Sequence, residues 1–131
     1  IAKRKEIFLD LDSATSLKTL EGSEGAHIDF MGPVRLRGML LRRLPSEYGG
    51  SMTKAIKFLS VAYFARPTYL HNALVYGAAI LSTKYNEACE VLQTAVNTYP
   101  DHDSLNQKFE NQFYYRQIFA ITTSFCKARE L

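Results

Sequence analysis

No long apolar run occurs in this chain: the longest unbroken stretches, such as Ala78-Ala79-Ile80-Leu81, fall far short of the ~20 residues that a membrane-crossing helix needs. No membrane span is expected. Cysteine is equally scarce. Cys89 and Cys126 stand alone, 37 positions apart, with no CxxC pair and no histidine at ligand spacing. Neither a zinc site nor a disulfide scaffold is indicated, and the two thiols are expected as small buried apolar side chains. A strong excess of one charge is also missing. Sixteen basic and thirteen acidic residues leave +3, too mild for a dedicated nucleic-acid binder, so no nucleic-acid partner is expected. The first thirty residues contain no apolar core of a signal peptide, and the chain opens on Ile1, which suggests a piece of a longer product.

What is present is an ordinary globular composition. In 131 residues, 47% are hydrophobic and 22% charged, enough for one core and too little for two of ordinary size. Glycine and proline divide the chain into helix-sized blocks at Gly22, Gly25, Gly32-Pro33, Pro45, Gly49-Gly50, Pro67 and Pro100. Between them the apolar period is helical. Ala55, Phe58, Leu59, Ala62 and Tyr63 form one stripe behind a candidate N-cap at Ser51, and Ala88, Val91, Leu92, Ala95 and Val96 form another. The block from Tyr69 to Ser82 is apolar on nearly all faces, which predicts a helix buried around most of its circumference. Ser104 and Gln107 make a capping-box pattern ahead of a last helix carrying Phe109, Phe113, Ile118, Ile121 and Phe125. Residues 2 to 12 or a little beyond are read as helical, with a loop over 21 to 31.

The most specific signal is an internal repeat. The segment Ala55 to Pro67 aligns with Ala88 to Pro100, sharing Ala55/Ala88, Leu59/Leu92, Ala62/Ala95 and Pro67/Pro100. Small residues let a paired helix approach, the leucines fill the space between, and the prolines stop each helix. Gly38 and Gly77 occupy the matching place in the preceding helices. A mid-helix glycine costs about 1 kcal/mol relative to alanine, so close packing is the reason to keep it.

This pattern resembles the tetratricopeptide repeat, over about residues 30 to 100. It departs from the ordinary repeat in a longer Leu44-to-Gly50 connection and in Val34 and Ala73 where an aromatic is usual. With Gly32-Pro33-Val34-Arg35-Leu36-Arg37-Gly38, Arg43-Leu44-Pro45 and Gly49-Gly50-Ser51, the chain looks like the divergent repeats of bacterial proteins associated with TRAP transporters. The resemblance implies an all-α fold of about six helices, a short right-handed solenoid. Its expected parts within a single domain 1–131 are an N-terminal helix and loop (1–30), repeat one (31–67), repeat two (68–100) and a capping helix (101–131). It also implies a non-enzymatic scaffold or adaptor without cofactor, whose groove takes a protein segment or small apolar ligand. The implied setting is periplasmic or otherwise exported, beside a solute-binding protein, with the cytoplasm as the alternative.

Candidate partner-binding residues follow from the faces of the first helices. Arg35, Met39 and Arg42 share a face, and Arg37 and Arg43 complete four guanidiniums within nine positions, suited to bidentate pairing with carboxylates. His71, Leu74, Ala78 and Leu81 form the equivalent row in the second unit. Aromatics Tyr114, Tyr115 and Phe119, with Phe113 and Phe125, are dense for one helix and are read as a terminal helix capping an open repeat stack, an exposed patch being the alternative. His27 and His102 have no third ligand nearby, so no metal is expected. Gly49-Gly50-Ser51 lacks a following Walker lysine, which argues against nucleotide binding. The one catalytic alternative is a phosphatase of haloacid-dehalogenase type. It rests on Asp10 and Asp12 after Ile7-Phe8-Leu9, but Thr15 falls one place late for that motif and the chemistry needs a parallel sheet.

Overall fold

The computed structural model describes residues 30–99 and 108–126, with the backbone alone at 108 and 109. Five α-helices occur among the described residues, with no strand: α1 (Gly32–Arg43), α2 (Met52–Ala65), α3 (Leu70–Ile80), α4 (Tyr85–Thr98) and α5 (Lys108–Ile121). A 3₁₀ turn, Ser46–Tyr48, lies between α1 and α2, and a π-helical turn, Thr122–Cys126, continues α5. The all-α class is therefore as expected. The helix expected over residues 2–12, the capping box at Ser104 and Gln107, and Pro100 lie outside the described residues. The chain divides into two compact units, Ile1–Ala65 and Arg66–Leu131.

In the first unit α1 and α2 form a hairpin. Phe30 and Met31 adopt positive φ (55° and 71°), turning the chain into α1, where Pro33 occupies an N-terminal position that has no need of its missing N–H. Ser51 caps α2: its Oγ accepts from Lys54 N at 3.2 Å. All five residues of the expected α2 stripe, Ala55, Phe58, Leu59, Ala62 and Tyr63, are buried. Met31, Val34 and Leu41 pack with Ala55, Phe58 and Ala62 in one core. The longer connection is tightly built: Gly50 N donates to Pro45 O at 3.0 Å, Ser51 N donates to Leu41 O at 2.9 Å, and a Cβ on Gly50 would stand 1.7 Å from Leu44 O. Those N–H groups are consumed by the chain itself, which explains the two-glycine sequence without any anion.

In the second unit α3 packs against both α4 and α5, and α4 against α5. As its composition predicts, α3 is buried around most of its circumference. Ala88, Val91, Leu92 and Ala95 of α4 are buried as expected, and Val96 is half-buried. Two sequence expectations fail here. Cys89 and Cys126, expected as free buried thiols, are joined in a disulfide between α4 and the π turn. Spacing in the chain says nothing about the tertiary approach that pairs them. The packed stripe of α5 also differs: Asn111, Ile118, Thr122 and Cys126 are buried, whereas Phe113 and Phe125 are 61% and 55% exposed. Of Phe113, Ile118, Ile121 and Phe125, only Ile118 is fully buried, because Asn111 and the disulfide, rather than the aromatics, fix which side of α5 faces the unit; the Phe109 side chain lies outside the described residues.

Candidate functional site

The two rows of candidate residues belong to different helices in different units. On α1 the four guanidiniums separate into two classes. Arg35 is 9% exposed and its Nη1 donates to Phe30 O at 3.1 Å, so the side chain fastens the left-handed turn that opens the helix. Arg37 is 1% exposed, with its guanidinium 5.7 Å from the centre of the Phe58 ring, a cation–π placement inside the hairpin. Arg42 and Arg43 are exposed in the last turn, where positive charge also suits the helix dipole. Met39 is half-buried. The expected basic wall thus reduces to Arg42 and Arg43 as free cations; the hydrophobic period could not tell which arginines turn inward.

On α3, His71, Leu74, Ala78 and Leu81 recur at spacings of three and four and are each half-buried, while every other residue from Leu70 to Ile80 is buried. The row is the most open stripe of an otherwise enclosed helix. At its start, the His71 ring stacks on Tyr114 with centroids 4.1 Å apart and planes 5° from parallel, and Tyr69 meets both rings edge-on. That stacking fixes His71 as part of an aromatic cluster holding α5 against α3. Tyr99 and Tyr115 stack at 4.6 Å, with Phe119 next in the series and 50% exposed.

Two buried asparagines escaped sequence reading. Asn111 Oδ1 accepts from Leu70 N at 3.0 Å and its Nδ2 donates to Thr68 O at 3.3 Å, so a side chain of α5 caps the start of α3. Asn72 Nδ2 donates to Arg66 O at 3.1 Å. Their signal in the sequence was a polar residue on an apolar stripe, which has no unique reading before the fold is known. A surface hollow of about 380 Å³ lies over Thr83–Glu87. Its Glu87 accepts from Tyr76 Oη at 3.2 Å and lies 4.0 Å from Lys84 Nζ, so this carboxylate is already engaged. Among the described residues no group of His, Cys, Asp or Glu is placed to hold a metal ion. Asp10, Asp12, His27 and His102 lie outside them.

The described residues define an all-α protein of antiparallel helix hairpins in which a glycine of the first helix receives a leucine of the second. No family model, curated protein or solved structure matches the chain.

Proposed function

We propose that this chain is a non-enzymatic interaction scaffold whose two hairpins, α1–α2 and α3–α4, are successive tetratricopeptide-type repeats of a right-handed solenoid. The observation that supports it is a repeated contact. A Cβ added at Gly38 would lie 2.6 Å from Leu59 Cδ2, and one added at Gly77 would lie 2.6 Å from Leu92 Cδ2. The same small-to-large fit recurs in both hairpins at the positions the repeat pattern assigns, with Val34 and Ala73 fully buried where the pattern has an aromatic. The binding surfaces in this reading are the exposed Arg42 and Arg43 with the half-buried Met39 of α1, Arg35 being engaged at the start of that helix, and the His71, Leu74, Ala78 and Leu81 row of the second hairpin. Their occupant is a protein segment or a small apolar ligand.

An exported setting agrees with the buried disulfide, since such bonds persist in oxidising compartments. Within that setting the resemblance of Gly32–Gly38, Arg43–Pro45 and Gly49–Ser51 to TRAP-associated repeat proteins favours a periplasmic solute-binding protein as partner. The phosphatase alternative gains nothing from the described residues, which contain no strand to build its sheet.

The test is selection of binding segments from a peptide library against the full chain, followed by hydrogen exchange of each complex. Protection of Arg35–Arg43 and His71–Leu81 is the expected result. Binders that protect neither region, or Mg²⁺-dependent hydrolysis of a phosphomonoester lost in Asp10→Asn, would replace the scaffold reading.

A further inference from the structure

Charge in this chain is unevenly placed. The hairpin from Phe30 to Ala65 contains six basic residues and one acidic, Glu47, whereas residues 1–29 contain four basic and six acidic and Arg66 to Leu131 contains six of each. With Arg35 and Arg37 buried, the remaining cations are Arg42 and Arg43 in the last turn of α1 and Lys54 and Lys57 in the first turns of α2, all four exposed. The hydrogen bond from Ser51 N to Leu41 O at 2.9 Å ties the start of α2 to the last turn of α1, so both basic pairs stand at one end of the hairpin. Among the described residues none of the four side chains has an ion pair.

The dipole argument separates the two pairs. Arg42 and Arg43 sit at the negative end of α1 and gain from it. Lys54 sits at the positive end of α2, and no acidic residue is present in that first turn to offset it. The fold does not explain a cation there. Four like charges gathered at one end of the hairpin raise the positive potential there, which marks the end as a place for an anion.

We infer that the connection end of the α1–α2 hairpin, through Arg42, Arg43, Lys54 and Lys57, recognises an acidic peptide segment. This deepens the scaffold reading and rests on it, naming the chemistry of the segment bound. Charge complementarity selects the occupant. Four cations match a few carboxylates. A nucleic-acid footprint draws on a longer run of phosphate contacts and on exposed aromatics for stacking, and no exposed aromatic lies at this end. A lipid surface would need apolar side chains to insert, and Met52 is the exposed large apolar residue there.

The experiment measures binding of a labelled oligo-glutamate peptide to the full chain by fluorescence polarisation, with an oligonucleotide and phosphatidylserine-containing vesicles as parallel probes. The peptide is expected to bind most tightly and to weaken as salt rises. Arg42→Glu with Arg43→Glu, and separately Lys54→Glu with Lys57→Glu, should each reduce its affinity by about tenfold, while Lys84→Glu with Arg116→Glu in the second unit leaves it unchanged. The glutamine versions of the same positions, which keep the fold with less perturbation, should give a smaller loss in the same direction. Equal affinity in the hairpin and second-unit variants would overturn the inference, as would tighter binding of the oligonucleotide or the vesicles. If library-selected segments without acidic residues still protect α1 and α3, that result rejects the acidic chemistry alone and leaves the scaffold reading in place.

Discussion

Cys126 is bonded to Cys89 from the end of a π-helical turn. Asn111, Ile118 and Thr122 follow one α-helical stripe on the buried side of α5. The turn from Thr122 to Cys126 is π-helical, with i→i+5 bonding, and both of its end residues are buried. Widening a helix displaces its regular hydrogen bonds. Here the Phe119 carbonyl accepts from the hydroxyls of Thr122 at 2.9 Å and Thr123 at 2.7 Å, and Tyr85 Oη donates to Phe125 O. Two adjacent threonines thus support the irregular turn that carries the cross-linked Cys126.

Removing that cross-link should cost stability in the second unit. Cys126→Ser opens a loop whose ends are 37 positions apart, an effect of about 3–4 kcal/mol in the chain-entropy account of disulfides. Thermal melts with and without reductant check it. The parent should melt lower when reduced, and the serine variant should show the same melt in both conditions.

Gly77 and Leu92 should behave as a coupled pair. Gly77→Ala places a methyl 2.6 Å from Leu92 Cδ2, and such overpacking costs about 1–3 kcal/mol. Adding Leu92→Ala removes the obstructing atoms, so the double variant should be less destabilised than the sum of the two single changes. A denaturant cycle giving strict additivity would show that the helices do not meet at this pair.

Leu92→Asp is a harsher test of the same interface. Leu92 is fully buried, and an unpaired carboxylate there should remove cooperative unfolding of the second unit or lower its midpoint by many degrees. A shift of only a few degrees would mean that the repeat pattern is misaligned with the structure.

The arginines of α1 should divide by position rather than by type. Arg37→Glu reverses a charge enclosed beside Phe58 and is expected to destabilise by about 3 kcal/mol or more. Arg43→Glu, on the exposed side, should stay within about 0.5 kcal/mol. Chemical denaturation of both variants separates a structural guanidinium from a surface one.

Asn111→Leu should loosen the start of α3. The change removes the acceptor for Leu70 N and the donor to Thr68 O, a loss of about 1–3 kcal/mol for buried groups left without partners. Amide exchange at Leu70 should accelerate more than exchange near Ile80.

Helical class, the buried stripes of α2 and α4, and the need for a small residue at Gly38 and Gly77 were legible in the chain because each depends on short-range spacing; that each glycine meets a leucine was not. A stripe at Ala55, Phe58, Leu59, Ala62 and Tyr63 has only one side to bury, and a glycine thirty-nine positions from its counterpart (Gly38 to Gly77) signals a repeated close approach. His71, Leu74, Ala78 and Leu81 were readable as one stripe for the same reason, since they repeat at helical spacing, but spacing did not decide how far the stripe is buried. Tertiary structure decided what spacing cannot: which guanidiniums of α1 turn inward, that Cys89 meets Cys126, and that α5 packs through Asn111 and Thr122 while Phe113 and Phe125 face outward. Long flexible side chains such as Arg37 can follow either side of a helix, and a disulfide joins residues through space. Both outcomes depend on neighbours far away in the chain, which local periodicity does not encode.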